Sequence, residues 1–372
     1  MRKVWIVSDA IISPLGLTSA ENYEHVANGQ SGICLTADKA FTTDPMYASA
    51  IKGFSVQQGF SKIEVLALQA ARETLRNYQP DKSRTLFIFS TTKGNIDSPL
   101  DPKVQPRIAL HACAQYIASQ LGLTHNLVVS NACISGVLAM VTAQRYLSSG
   151  KFDHALVVGA DVLSRFVVSG FKSLYALSNA PCKPFDKHRD GLTLGEAAAA
   201  MLITARPQDF GVTPSIEVLG GAVTNDANHI SGPSRTGKEL ALAITNALQN
   251  TDRKASQIDF ISAHGTATVY NDEMEAKAFH LAGLTNVPLN SLKGYFGHTL
   301  GAAGVVEAVI TSHSLLKDEL IPTLGCSESG VSSKINITIK KQAHFMKTVL
   351  KTASGFGGCN AAVLMEKLID NK

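Results

Sequence analysis

The sequence predicts an α/β protein in which buried, largely parallel sheets are covered by helices. Three observations carry that expectation. Strand-like and helix-like runs alternate along the whole 372 residues. The strand candidates are near-continuous apolar runs, as strands covered on both faces require. Hydrophobic residues make up 45% of the chain and charged residues 17%, a core-forming composition long enough for about two domains of ordinary size.

The elements can be justified in order. "MRKVWIVSDAIISPLG" (1–16) has a short apolar run stopped by Ser8 and Asp9, which reads as a first strand and not a signal peptide. "KIEVLALQAARETLRNY" (62–78) repeats apolar residues at helical spacing, and "TLFIFS" (85–90) is a buried strand. "LHACAQYIASQLG" (110–122) is a second helix. "LVVS" (127–130) and "HALVVGAD" (154–161) are strands on either side of a helix that ends near Ser148, Ser149 and Gly150. "AAMLITA" (199–205) is the next strand, after which "RPQDFGVTP" (206–214) interrupts the apolar pattern. That interruption is the expected join between two halves, 1–206 and 207–372. In the second half, "GKELALAITNALQN" (237–250) and "GAAGVVEAVITSHSLLKD" (301–318) are helices, and "IDFISAH" (258–264) and "AVLMEK" (362–367) are strands.

The bulk numbers exclude several classes. A net charge of +4 is too weak to argue for nucleic acid, and no segment is long and apolar enough to span a bilayer. The six cysteines are scattered without metal-ligand spacing, so reduced thiols in a cytoplasmic protein are expected, with no metal site.

Cys133 in "VVSNACISGVLAM" stands where a β-branched run gives way to a helix. A buried cysteine is ordinarily an inert small hydrophobe. A strand-to-helix turn instead aims unpaired helix N–H groups at the side chain, and their dipole would stabilise a thiolate by up to about 2 kcal/mol. On that reading Cys133 is a nucleophile with a useful thiolate fraction at neutral pH. Two histidines sit in small-residue frames that could serve it: His264 in "SAHGTATVYND" and His298 in "SLKGYFGHTLGAAG", the latter with Lys293 nearby. Each alone reads as a hydrogen-bonded loop residue. Together with the glycine loop "SGFGGCN" (354–360), they form a set. "GPSRTGKE" (232–239) has the glycine–lysine spacing of a phosphate loop, but Glu239 replaces the magnesium-binding hydroxyl and no strand precedes it. It reads as a loop that caps a helix.

As a set, these motifs resemble the β-ketoacyl-acyl carrier protein synthases, the condensing enzymes of fatty-acid and type II polyketide synthesis. The resemblance runs nearly end to end, through "VSDAIISPLG", "GQSGI", "NACISG", "KPFDKHRDGLTLGEAAAA", "AHGTATVYND", "KGYFGHTLGAAGVVEA" and "GFGGCN". It implies a thiolase-like fold of two related halves in five layers (αβαβα), usually dimeric. It further implies Cys133 as nucleophile, His264 and His298 as the active-site histidines, Lys293 as their supporting lysine and Glu307 as the acidic residue linked to it. The backbone N–H groups of Cys133 and Phe356 would form the oxyanion hole. Acyl carrier protein would deliver the acyl and malonyl thioesters, with no organic cofactor.

Several positions depart from the family pattern. Asn131 replaces the usual Thr before the nucleophile, Ser262 and Ala267 alter the frame of His264, and Ala197 replaces a glycine. Ser354 stands where many members carry an aromatic gate to the acyl pocket, which points to a pocket suited to a bulky or unsaturated chain such as a polyene. The stretch 91–110 is short for the family. Cys359 reads as incidental. Two functions are therefore weighed: a catalytic elongating synthase, or a non-catalytic partner like the chain-length factors of heterodimeric ketosynthases. The survival of Cys133, His264, His298 and Lys293 favours the enzyme.

Overall fold

Among the residues described by the computed structural model (2–368, apart from 54, 55, 57 and 97–100), the apolar runs pair into one sheet of eleven strands. Its first five positions are filled by β1 (Trp5–Ile12), β2 (Thr85–Ser90), β3 (His125–Val129), β4 (His154–Asp161) and β5 (Ala197–Thr204), in the order β3-β2-β4-β5-β1. The next five are β6 (Ile216–Asn225), β7 (Phe260–Ser262), β8 (Pro288–Asn290), β9 (Thr348–Gly355) and β10 (Cys359–Lys367), in the order β8-β7-β9-β10-β6. The second order is the first repeated. Directions repeat too: β2 runs parallel to β3 and β4, and β7 runs parallel to β8 and β9. β4 and β5 are antiparallel, as are β9 and β10. The half-sheets join through a short antiparallel pairing, Trp5 opposite Glu217 and Ile6 opposite Ile216. A two-residue strand, Asn336–Ile337, extends the edge beyond β8.

Six helices cover this sheet: α1 (Lys62–Leu75), α2 (Leu110–Gln120), α3 (Ser135–Ser148), α4 (Lys238–Asn250), α5 (Val269–Leu281) and α6 (Ala303–Lys317). The strand pleat decides which layer each helix joins, because successive side chains point to opposite faces. Leu86 and Ile88 of β2 enter a central core with Val137 and Met140 of α3 and Val305 and Val309 of α6. Phe87 and Phe89 of the same strand face outward onto Leu66 and Ala70 of α1 and Ile117 of α2. The second half repeats this, with Ile261 and Leu350 packed on Leu240 and Ile244 of α4 and Phe279 of α5. The layers are therefore α1/α2, half-sheet, α3/α6, half-sheet and α4/α5. This is the αβαβα arrangement of a thiolase-like fold.

The two central helices meet through glycine. A Cβ on Gly136 would lie 2.7 Å from the Val305 nitrogen, and one on Gly304 would lie 2.5 Å from the Val137 nitrogen. These residues are the second positions of α3 and α6, so the molecule's internal two-fold relation passes between them. The close approach brings the start of each central helix to the same end of the sheet, where β7 and β9 also finish.

Most sequence-expected elements form within a few residues of their bounds. α5, β6, β8 and β9 are additions. α5 buries Asn271, Asp272 and Glu275 among its inward residues and so lacks an apolar stripe. β6 is interrupted in sequence by Gly220 and Gly221. The "GPSRTGKE" loop does lead into a helix, with Gly237 at the N-cap of α4 in the left-handed region. Of the short stretch 91–110, residues 97–100 lie outside those described.

Candidate active site

The site grows from four chain turns at the ends of the strands. Ala132 takes a positive φ of 45°, turning the chain between β3 and α3 and leaving Cys133 two residues before the helix. Ser135 ties that turn: its hydroxyl donates to the Ala132 carbonyl at 2.7 Å and accepts the Asn131 N–H at 2.8 Å. His264 follows β7 and is held by α5. Glu275 accepts the N–H groups of His264 at 2.8 Å and Gly265 at 2.6 Å, and Asp272 accepts that of Thr266 at 2.9 Å. The acidic face that hides α5 from periodicity is thus the surface that positions the histidine loop.

His298 is clamped by the central signature. Its N–H donates to the Thr193 carbonyl at 2.7 Å, and its carbonyl accepts the Gly195 N–H at 3.1 Å. The fourth turn, between β9 and β10, lies over the cysteine. A Cβ on Gly355 would come within 3.0 Å of the Cys133 nitrogen. Phe356 stacks on Phe171 with ring centroids 5.7 Å apart, and Gly358 receives the Asp226 N–H at 2.7 Å.

The site residues expected from sequence converge. His298 Nε2 lies 3.0 Å from Cys133 Sγ, and the His264 and His298 rings meet edge to face at 5.2 Å. Lys293 Nζ sits 3.2 Å from His264 Nδ1, donates to the His264 carbonyl at 2.5 Å and to Glu307 Oε1 at 2.7 Å. Ser354 is buried on the lining, its hydroxyl donating to Asn360 Oδ1 at 2.8 Å. The cavity holds about 390 Å³ and is lined by Cys133, His264, His298, Ser354 and Phe356, with Tyr175 at its mouth.

The hydrogen bonds decide which way the imidazoles face. Nδ1 of His264 receives the Lys293 ammonium, and Nδ1 of His298 receives the Leu300 N–H at 3.3 Å. A ring that accepts at Nδ1 while neutral carries its proton on Nε2. Both histidines are kept neutral. Burial drives His264 well below the ordinary histidine value, reinforced by Lys293 and His298, and burial with Lys293 does the same to His298. Two neutral Nε2–H donors therefore share the cavity with the sulfur.

Two findings depart from the sequence reading. A lowered thiol pKa at Cys133 is expected from the helix start, yet burial pushes it up to about 12, with Cys359 adding to the rise and Lys293 opposing it. A dipole effect of about 2 kcal/mol amounts to roughly 1.5 pKa units and cannot offset that burial. The resting group is a thiol. The second finding is Lys351, which sequence reasoning missed. It is fully buried in β9, with Nζ 2.6 Å from Glu307 Oε2. Burial alone would raise the Glu307 carboxyl, but the charges of Lys293 and Lys351 bring it below the usual range. A single lysine inside the apolar run of β9 was the available signal.

Comparison with known proteins identifies the family of the chain. Residues 1–208 match the family model described as beta-ketoacyl synthase, N-terminal domain, and residues 216–327 match beta-ketoacyl synthase, C-terminal domain. A putative mitochondrial 3-oxoacyl-[acyl-carrier-protein] synthase of Schizosaccharomyces pombe is 27% identical, with 99% of this chain and all of that protein covered. The 3-oxoacyl-[acyl-carrier-protein] synthase 2 of Vibrio cholerae is also 27% identical, with 99% of each covered. Among solved structures, a beta-ketoacyl synthase from Burkholderia phymatum superposes with a TM-score of 0.89 at 24% identity, over 99% of this chain and 100% of that one. A ketosynthase in complex with its chain length factor from Xenorhabdus doucetiae gives 0.87 at 24% identity, over 99% and 98%. At these identities the structural matches speak to fold.

Proposed function

The chain belongs to the β-ketoacyl synthase family, condensing enzymes of the acyltransferase class, and from that premise we propose that it extends an acyl chain held on Cys133. The 3.0 Å contact between Cys133 Sγ and His298 Nε2, inside a closed set of neutral donors, is the observation that carries this reading. Cys133 attacks the carbonyl of an acyl thioester on a carrier protein. The C–S bond to the carrier breaks, and the departing thiolate takes the Cys133 proton. The buried thiol therefore need not ionise before attack. The oxyanion passes to the N–H groups of Cys133 and Phe356, an arrangement worth about 10²–10³ in rate per donor.

A malonyl carrier thioester then loses carbon dioxide. The electron pair of the broken C–C bond becomes an enolate whose oxygen accepts the Nε2–H groups of His264 and His298. Its carbon attacks the acyl-Cys133 carbonyl, the sulfur leaves and is reprotonated from water, and a 3-oxoacyl carrier thioester is released. Lys293 positions His264, and Glu307 positions Lys293. No step calls on a metal or organic cofactor. Fatty-acid or type II polyketide synthesis is the setting, in a cytoplasmic dimer of two copies or of this chain with a second synthase-like subunit. Among the described residues no helix is long and apolar enough to cross a membrane. The division into 1–206 and 207–372 belongs to the same proposal, supported by the repeated strand order.

The alternative, a non-catalytic partner subunit, does not account for why every reacting group remains in contact. The test is intact-protein mass after incubation with a panel of acyl carrier thioesters. Wild type should gain an acyl mass that malonyl carrier protein discharges as an extended product. Cys133→Ala should gain none and lose about 10⁴-fold or more in product formation. An adduct on Cys133→Ala, or none on wild type with every thioester, would overturn the reading.

A further inference from the structure

Lys351 has no place in the reaction as derived above, yet its surroundings are specific. It lies in the middle of β9 with no exposed surface. Its ammonium donates to the carbonyls of Ser262 and Ala263, both at 3.2 Å, the two residues that lead into His264. It also pairs with Glu307 at 2.6 Å. The other Glu307 oxygen is 2.7 Å from Lys293, which in turn meets His264 Nδ1. Four side chains thus form one line, Lys351–Glu307–Lys293–His264, drawn from β9, α6, the turn before His298 and the end of β7.

An isosteric methionine would fill the same space without the desolvation penalty of a buried ammonium, so packing alone gives no reason for a lysine. Charge does. With Lys293 and Lys351 on either side of a single carboxylate, the cluster carries one uncompensated positive charge beneath His264. Glu275, the acid nearest the histidine backbone, is pushed up by burial to about 7 and cancels that charge only in part near neutrality. The remaining groups around His264 are His298, edge-on, and Cys133 beyond it.

We infer that Lys351 is a positioning residue that fixes the charge state of His264 as a neutral donor for the decarboxylation step, acting through Glu307 and Lys293. This rests on the functional reading above. The sign follows from electrostatics: removing a nearby cation makes protonation of His264 easier, so loss of the neutral donor begins at higher pH. It also predicts a compensation. Lys351→Met leaves the cluster neutral, whereas Lys351→Met with Glu307→Gln leaves Lys293 as one uncompensated cation, the wild-type balance.

The experiment follows the ring carbon of His264 by NMR in histidine-labelled protein, assigned by its loss in His264→Gln, alongside the pH profile of malonyl decarboxylation. In Lys351→Met the His264 titration should move up, because a cation that opposes its protonation is gone. The acid limb of decarboxylation should move with it, lowering kcat without a matching change in KM. Loading of Cys133, which involves none of these four groups, reports the folded fraction. In the double variant, which keeps the single uncompensated buried cation of the wild type, both shifts should return to the wild-type position. A His264 titration unmoved in Lys351→Met, or moved equally in the double variant, would overturn the inference. A wild type that never decarboxylates a malonyl thioester would sink the functional reading, while the His264 titration would still decide this one.

Discussion

Cys133 and Gly301 stand two residues ahead of α3 and α6, each after a non-glycine residue at positive φ, Ala132 at 45° and Leu300 at 52°. They are the same place in the two halves. What lies over them differs. In the second half's turn the Gly301 N–H donates to Asp161 Oδ2 at 2.7 Å, from the last residue of β4. In the first half's turn the last residue of β9 is Gly355, which brings no carboxylate to the Cys133 N–H. A carboxylate oxygen sits permanently where, at Cys133, the oxyanion of a reacting thioester would sit. The duplicated scaffold thus makes two such N–H positions and closes one with Asp161, while the other is the one proposed to receive the oxyanion.

Asp161 is suited to closing its site. It collects the Thr92 N–H and the hydroxyls of Thr91 and Thr92, each at 2.9 Å, besides Gly301. Burial raises its carboxyl, with the Thr92 and Gly301 N–H groups opposing the rise and no cation among the main causes. Glu307, equally buried, is lowered by two lysines. One buried acid is spent on holding loops, and the other on charging a histidine's support.

The most direct way to break the comparison is to make the open site like the closed one. Gly355→Asp should bring a carboxylate to the Cys133 turn and reduce the rate of acyl loading by about 10²–10³, beyond the loss in Gly355→Ala, which carries the same crowding against Cys359 and Cys133 without the charge. Loading kinetics by intact mass would check this, and unchanged loading would contradict the equivalence of the two sites. A smaller effect tests the scaffold, where the halves should behave alike. Gly136→Ala and Gly304→Ala each push a methyl into the opposite helix backbone, and each should cost about 1–3 kcal/mol in denaturant unfolding. A large difference between them would mean that the central contact is not shared evenly. The smallest effect concerns Ser354, the residue before Gly355. Ser354→Phe should leave loading of short chains near wild type and narrow the range of long acyl chains accepted. An unchanged acyl profile would remove Ser354 as a determinant of the pocket.

Sequence and structure agree where the signal is local. The β-branched run before Cys133 and the helical spacing after it mark a strand-to-helix turn, and β2 and β4 form over the residues their apolar runs suggest. Burial of the thiol could not be read there, because it comes from β9, β10 and His298, far away in the chain. α5 escaped periodicity since its inward face is acidic. Lys351 and Asp161 escaped because their meaning lies in partners, Glu307 for one and Gly301 for the other, on different elements. The positions proposed to carry chemistry were legible as motifs, together with Lys293 and Glu307, whereas Lys351 and Asp161 were not.

The proposed division of labour between the halves rests on His264, assigned to the second step, whereas His298 is the histidine in hydrogen-bond contact with Cys133. A pulse of acyl carrier thioester followed by a chase of malonyl carrier protein, read by intact mass on His264→Ala, separates the steps. The acyl adduct should form at the wild-type rate and then persist, its discharge slowed by about 10²–10³. Failure to load, or discharge at the wild-type rate, would contradict the assignment of acyl transfer to the cysteine turn and of decarboxylation to the histidines.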